Sequence, residues 1–246
     1  MKLNQLCWLA ILLSGHLSAN SLSLTIPSEQ ITLNYDAPVR LEQVMSDVVH
    51  HTKSRSPILY PIAIQLFDLE RESDAQTLKQ RVMKELGQIA NADTSLKSSV
   101  GILIEQIKRW DVGYRENLTL DIDRIRLQPK ANPMIAGRYE LLLPKRSEVV
   151  TFGGLLFSPQ QVSLQAEQKL SAYLKQVNML SSAHPSYAWV VYPDGHYKRV
   201  GYSYWNDENT SLTPGSYVFL GFNSESEHLL RIEEQIVKLV TMRKSL

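Results

Sequence analysis

Tyr187-Ala188-Trp189-Val190-Val191-Tyr192-Pro193-Asp194-Gly195 is a β-branched and aromatic run that ends on a turn. Proline fixes φ and glycine tolerates positive φ, so the stretch predicts a hairpin turning at Pro193-Asp194-Gly195. Downstream, Tyr217-Val218-Phe219-Leu220 supplies a last strand. Upstream, the spacing of Ala166, Leu170, Tyr173 and Leu174 predicts a helix over Gln165–Lys175. Before it stand a strand at Val149-Val150-Thr151-Phe152 and a turn at Gly153-Gly154. Strand, turn, helix, hairpin and strand in that order make an α+β unit.

The same order is met earlier in looser form. Ser21-Leu22-Ser23-Leu24-Thr25-Ile26 alternates polar and apolar, Pro27 to Gln30 interrupts, and Ile31-Thr32-Leu33-Asn34-Tyr35 alternates again. A period of two is that of a half-buried strand, so these form a hairpin. Leu41, Val44, Met45, Val48 and Val49 then place a short amphipathic helix at 38–50.

Between the two units, Ser73 is positioned to cap a helix with Leu78, Val82, Leu86 and Ile89 on one face. A second helix runs through Leu96, Val100, Leu103, Ile104 and Ile107 to Trp110. The short break at Asn91–Thr94 makes them an antiparallel hairpin, polar enough to project from its domain. Strands are expected at Leu118–Ile122, Ile125–Leu127 and Tyr139–Leu143. Ser224 and Glu227 read as a capping box for a C-terminal helix with Leu229, Ile232, Ile236, Leu239 and Val240 in one stripe. That stripe suits the chain's own core or, alternatively, a partner or membrane surface. The predicted organisation is a signal segment at 1–19, a first domain at 20–147 with the hairpin inserted at about 70–111, a second domain at 148–223 and the helix at 224–246.

The N-terminus reads as a secretory signal. Lys2 precedes the apolar run Leu6 to Leu13, and Gly15, Ser18 and Ala19 form a small-residue exit, with cleavage predicted after Ala19. The run is about 8 residues long, against the roughly 20 of a bilayer-spanning helix. An exported protein without a transmembrane segment is therefore expected. Cys7 is the only cysteine and lies in that segment, so disulfides and thiolate chemistry are excluded from the mature chain. Loss of Lys2 leaves cations and anions equal in number, which disfavours nucleic acid as a partner.

Reactive groups are sparse. His50 and His51 are adjacent and diverge on a helix, and His184, His196 and His228 lack a ligand at metal spacing, so neither metal nor cofactor is expected. Asp121 and Asp123 share a strand face. They are either a glycosidase pair or an ion-pair face with Arg124 and Arg126, and such pairs normally come from separate segments roughly 5–9 Å apart. Gly153-Gly154 lacks the Lys-Ser/Thr of a phosphate loop.

Recognition chemistry is better represented. Arg115 follows Trp110 and Gly113-Tyr114 where the helical hairpin re-enters the sheet. A planar guanidinium beside aromatic rings fits a carboxylate, phosphate or sugar hydroxyls; alternatively it caps the helix end. Tyr204, Trp205 and Asn206 form an aromatic cluster suited to a pyranose ring or to the core.

The run 186–195, followed by Tyr204-Trp205-Asn206 and Leu212-Thr213-Pro214-Gly215-Ser216-Tyr217-Val218-Phe219-Leu220-Gly221-Phe222, resembles the GfcC family of periplasmic proteins, encoded with capsule and exopolysaccharide export genes in Gram-negative bacteria. Tyr114-Arg115 followed by Leu120-Asp121-Ile122-Asp123 also fits, although Gly113 stands one position earlier than the family's glycine. The resemblance implies two β-grasp domains similar to those of Wza-type polysaccharide exporters, and a periplasmic, non-catalytic accessory role in capsule or exopolysaccharide assembly. Implied partners are a surface polysaccharide or outer-membrane export proteins. Arg115, Tyr114, Trp110, Asp194, Tyr204, Trp205 and Asn206 are the candidate binding residues. Two alternatives stand beside this reading: a carbohydrate-active enzyme using Asp121 or Asp194, and a structural interaction protein acting through the C-terminal stripe.

Overall fold

The computed structural model describes residues 21–52 and 60–244. The expected signal segment, and Pro57 in the stretch that precedes Phe67, lie outside them. The first unit contains β1 (Leu22–Ile26), β2 (Ile31–Tyr35), β3 (Val39–Arg40), α1 (Leu41–His51), β4 (Gln65–Asp68), α2 (Glu72–Ala92), α3 (Lys97–Lys108), β5 (Tyr114–Arg115), α4 (Ile122–Leu127), β6 (Met134–Ile135) and β7 (Gly137–Leu142). The second contains β8 (Val149–Gly154), β9 (Gln160–Ser163), α5 (Leu170–Leu174), β10 (Tyr187–Val191), β11 (Tyr197–Gly201), β12 (Tyr217–Leu220) and α6 (Glu227–Thr241).

The two five-stranded sheets share one plan. Their orders are β2-β1-β7-β4-β5 and β11-β10-β12-β8-β9, and β3 pairs with β6 in a separate two-stranded sheet. In each large sheet the first strand pairs antiparallel with its successor and parallel with the last strand. The last strand's other neighbour is antiparallel, β4 in one case and β10 in the other. The fold is α+β, and the replay expected from sequence holds strand for strand.

The cores differ. In β1, Leu22, Leu24 and Ile26 are buried while Ser23 and Thr25 are not, the signature of a sheet covered on one face. Its core is completed by Leu41, Val44, Met45 and Val48 of α1. In β12 all four residues are buried, so that sheet is covered on both faces. Phe152 meets Tyr173 of α5 at 6.2 Å. Trp189 Nε1 donates to Glu233 of α6 at 2.7 Å.

The helical hairpin joins this second core. Ala75, Val82, Leu86, Ile89, Val100, Leu103 and Ile107 pack in one cluster with β8, β10, β12 and α6. Buried Gln106 completes the end of β8, donating to Gly154 O (2.8 Å) and accepting from Gly154 N (3.1 Å). The expectation that the hairpin projects from the first domain is therefore corrected. Polar residues line one face only, and the other face belongs to the neighbouring unit.

The C-terminal stripe is corrected likewise. Ile232, Ile236, Leu239 and Val240 are buried and Leu229 packs against the same cluster, so the stripe is occupied by the chain's own core and offers no partner surface. Met242–Lys244 continues past α6 onto the first unit. Gly113 N donates to Met242 O (3.0 Å), Lys244 N donates to Asp111 O (3.0 Å), and Lys244 Nζ lies 3.4 Å from Glu140.

Several local expectations change. The strands predicted across 118–127 give way to α4, because Asp121 caps it by accepting from Asp123 N (3.0 Å) and Arg124 N (3.4 Å). The Asp121–Asp123 pair is thus a helix start and not a strand face. The helix expected over 165–175 shrinks to α5. No capping box forms: Ser226 is the N-cap, and Ser224 Oγ accepts from Ser226 N. Gly153-Gly154 serves packing, since a Cβ at Gly153 would lie 1.8 Å from the Tyr217 hydroxyl. Among the described residues no helix is long and apolar enough to cross a membrane, and no three metal-ligating side chains cluster.

Candidate functional site

Arg115 stands on the edge strand of the first sheet, where pairing with Phe67 sets its direction. Its guanidinium crosses to the second unit. Nη2 donates to Pro193 O at 2.7 Å, and Nη1 makes a long contact of 3.4 Å with Thr241 O at the end of α6. Burial pushes its pKa down to about 10, with the nearby Asp194 carboxylate pulling the other way. The cation therefore persists at neutral pH.

The receiving turn is built for this approach. Gly195 N donates to Tyr192 O and His196 N to Asp194 Oδ1, both at 2.9 Å. Gly195 has φ of +89°, and a Cβ there would lie 3.4 Å from the guanidinium carbon. A bare glycine face lets the planar cation lie flat against the turn. The two readings of Arg115 left open by the sequence are joined here. It bonds a helix-end carbonyl, that of α6 and not α3, and it also faces a groove.

That groove has a volume of about 540 Å³ and is lined by Arg115, Glu116, Asn117, Asp194, His196 and Lys238, with Tyr114, Tyr197, Thr241 and Met242 at its walls. A smaller extension of about 150 Å³ shares Arg115, Asn117, Asp194 and His196 and continues towards Leu118–Asp121. Two contacts leave the rest of the five guanidinium N–H donors for whatever enters. The lining mixes charges of both signs with amide and imidazole groups. Such a surface suits a hydroxyl-rich ligand with scattered anionic groups better than a strongly charged or apolar one. Glu116 holds its proton above the ordinary carboxylate range, through burial first and the neighbouring Asp68 second, with Arg71 opposing.

The predicted site residues separate into three places. Tyr114, Arg115 and Asp194 share the groove, although Arg71 stacks on the Tyr114 ring at 3.5 Å. Trp110 does not belong to it: it is 7 % exposed, meets Tyr217 edge-on at 6.4 Å, and carries Arg243 over its face at 5.3 Å. Its position at the end of α3 delivers it to the second core. Tyr204, Trp205 and Asn206 lie beyond the opposite end of β11, roughly 17 Å of strand away at about 3.4 Å per residue. Asn206 is structural, since Oδ1 accepts from Ser203 N and Nδ2 donates to Ser186 O.

Glu116, Asn117, His196 and Lys238 were missed from sequence. Glu116 and His196 adjoin residues already singled out, whereas Lys238 needs the folded helix to bring it in. A second missed cluster joins His184 Nε2 to Glu225 at 3.0 Å, with Arg199 donating to both oxygens of Glu225. Sequence spacing does not reveal this partner of His184, because Glu225 stands 41 residues further along the chain.

Comparison with known proteins follows this geometry. The profile described as "Capsule biosynthesis GfcC, N-terminal" matches residues 18–146, and that described as "Capsule biosynthesis GfcC C-terminal" matches residues 158–245. The chain is also similar to "Uncharacterized protein YjbG" of Escherichia coli (strain K12), with 31% identity over 163 residues, covering 65% of this chain and 66% of that protein's length. The first unit with its hairpin falls within one profile and the second unit from β9 through α6 within the other, with β8 between the two matched ranges, and the chain belongs to the capsule biosynthesis GfcC family.

Proposed function

We propose that this protein acts in the periplasm as a non-catalytic accessory factor in capsule or exopolysaccharide assembly, holding polymer or the export machinery in the groove at Arg115. Family membership supports the pathway, and the signal-like N-terminus supports the compartment. The observation that carries the reading is the bridging guanidinium. Arg115 ties the first unit to the Pro193 turn of the second and still presents donors to an open, mixed-polarity groove. A ligand that engages it would sense the alignment of both units at once.

The test is a calorimetric titration of the purified protein with polysaccharide from its host. Arg115→Ala weakens binding at least tenfold, about 1.4 kcal/mol, and Arg115→Lys recovers only part, because an ammonium lacks the planar fork. Equal binding by all three proteins removes the groove from consideration.

A second reading rests on Glu116 and Asp194 lining one groove, with Glu116 held protonated more readily than an ordinary carboxyl. A carboxyl that keeps its proton suits the general acid of glycan cleavage, with a second carboxylate in the same groove. Release of reducing ends by the purified protein, abolished in Glu116→Gln, would replace the binding reading with this one.

A further inference from the structure

The turn Ser203–Asn206 holds the most exposed aromatic pair among the described residues, Tyr204 at 101 % and Trp205 at 75 % of full exposure. An accidental surface aromatic usually lies down on the nearest apolar neighbour, because that removes area from water. Here the backbone prevents it. Asn206 N donates to Ser203 O (3.0 Å), Ser203 N donates to Asn206 Oδ1 (2.9 Å) and Ser203 Oγ donates to Pro185 O (2.8 Å). Asn206 Nδ2 and Glu208 Oε1 then tie the turn to Ser186 O and Gly201 N. A Cβ at Gly201 would meet Asn206 O at 2.1 Å, so the turn sits hard against β11. The two rings are presented outward from a braced platform.

We propose that Tyr204 and Trp205 form a saccharide-stacking platform, a second contact for a sugar chain beyond the Arg115 groove. The C–H faces of a pyranose carry partial positive charge and meet the negative face of an aromatic ring. The turn's flanks are polar and acidic: Asp207 accepts from Asn209 N and Ser171 Oγ, and Glu208 from Gly201 N. Each carboxylate has acceptor capacity left for hydroxyl donors. A membrane anchor would pair such aromatics with Lys or Arg facing lipid headgroups, and two carboxylates oppose that. A protein hot spot would sit within a wider apolar surround, and Ser203, Asn206, Asp207 and Glu208 do not provide one. The platform stands independently of the groove. If both are used, a long polymer gains from the second contact through effective concentration.

The test is an array of bacterial surface polysaccharides, neutral and anionic, probed with four purified proteins: wild type, Tyr204→Ala/Trp205→Ala, Tyr204→Phe/Trp205→Phe and Arg115→Ala. Phosphatidylcholine–phosphatidylglycerol vesicles serve as a fifth arm for the wild type. The double alanine variant should lose at least tenfold in retention while the double phenylalanine variant keeps most of it. Arg115→Ala should retain a fraction of the wild-type binding. The proposal is overturned if the alanine pair binds like wild type, or if wild type binds vesicles and no polysaccharide. Binding lost with Arg115→Ala and untouched by the alanine pair would leave the groove standing and remove the platform.

Discussion

The two sheets have the same strand order and opposite circumstances. The first is covered on one face by its own short helix and leaves its other face open at β1, although at β4 Gln65, Leu66 and Phe67 are all buried. The second is buried on both faces, with one cover drawn from a hairpin that branches off the first sheet between β4 and β5. Among the described residues 36 buried apolar side chains form the second core and 13 form the first, so the second core is the larger. Topology and packing are thus separable. A strand plan can be repeated while the layers that bury it are borrowed from elsewhere in the chain.

The comparison breaks most sharply if α6 is removed. Ending the chain at Asn223 deletes Ile232, Ile236, Val237, Leu239 and Val240 from the second core. At about 1.5–3 kcal/mol for each buried side chain, the loss is of the same size as the roughly 5–15 kcal/mol that holds a domain folded. The truncated protein should show no cooperative melt by circular dichroism and rapid proteolysis of β8–β12. A protected second sheet would mean that the hairpin alone suffices as its cover.

A smaller effect is expected from Glu233→Ala. Glu233 is 2 % exposed and accepts from Trp189 Nε1 (2.7 Å) and Phe222 N (2.6 Å). Truncation leaves two buried donors unpaired, costing about 2–4 kcal/mol, readable as a shift in urea midpoint. An unchanged midpoint would show that water replaces the carboxylate.

The same residue gives a pH test. Burial raises the Glu233 pKa above its ordinary value of 4.5, against the pull of its hydrogen bonds. A raised acid favours the fold below its unfolded pKa and loses that contribution as pH climbs through the folded value. The stability of wild type relative to Glu233→Gln should therefore fall as pH rises above about 4.5. Glu225 behaves oppositely: hydrogen bonding to Arg199 lowers its pKa, so its contribution is present above 4.5 and lost in acid. A rising difference for Glu233 would place its carboxylate in a better-solvated setting than the packing indicates.

The smallest effect belongs to the open face of the first sheet. Thr25→Lys, on the uncovered side of β1, should change stability by no more than about 0.5 kcal/mol. Val218→Lys, at 0 % exposure in β12, should prevent folding. Similar costs for both would mean that β1 is also covered on its second side.

Much of this contrast was legible in the residues. Leu22-Ser23-Leu24-Thr25-Ile26 alternates because one face meets water, and Tyr217-Val218-Phe219-Leu220 does not because neither face does. The helices of the hairpin and the C-terminus were readable from their apolar spacing. Their destination was not, since an apolar stripe states that a face is buried and not against what. At the site, Arg115 and the Pro-Asp-Gly turn were visible as local chemistry. Their meeting, 78 residues apart in sequence, depends on how two sheets are set side by side. The 118–127 segment misled because Leu118-Thr119-Leu120 alternates until a single Asp cap redirects it.

The borrowed cover has a temporal consequence. α2 and α6 touch across about 150 residues of chain, as in the Gln235–Glu85 contact, and α6 follows every other described element in the chain. Until it arrives, the apolar stripe of the hairpin has no lid, while the first unit already possesses all its strands. Contacts of such long sequence separation form slowly, because loop closure precedes any reward from burial. The nascent chain therefore carries an unshielded greasy ridge until α6 is made. The contacts that complete the second core are those of α6.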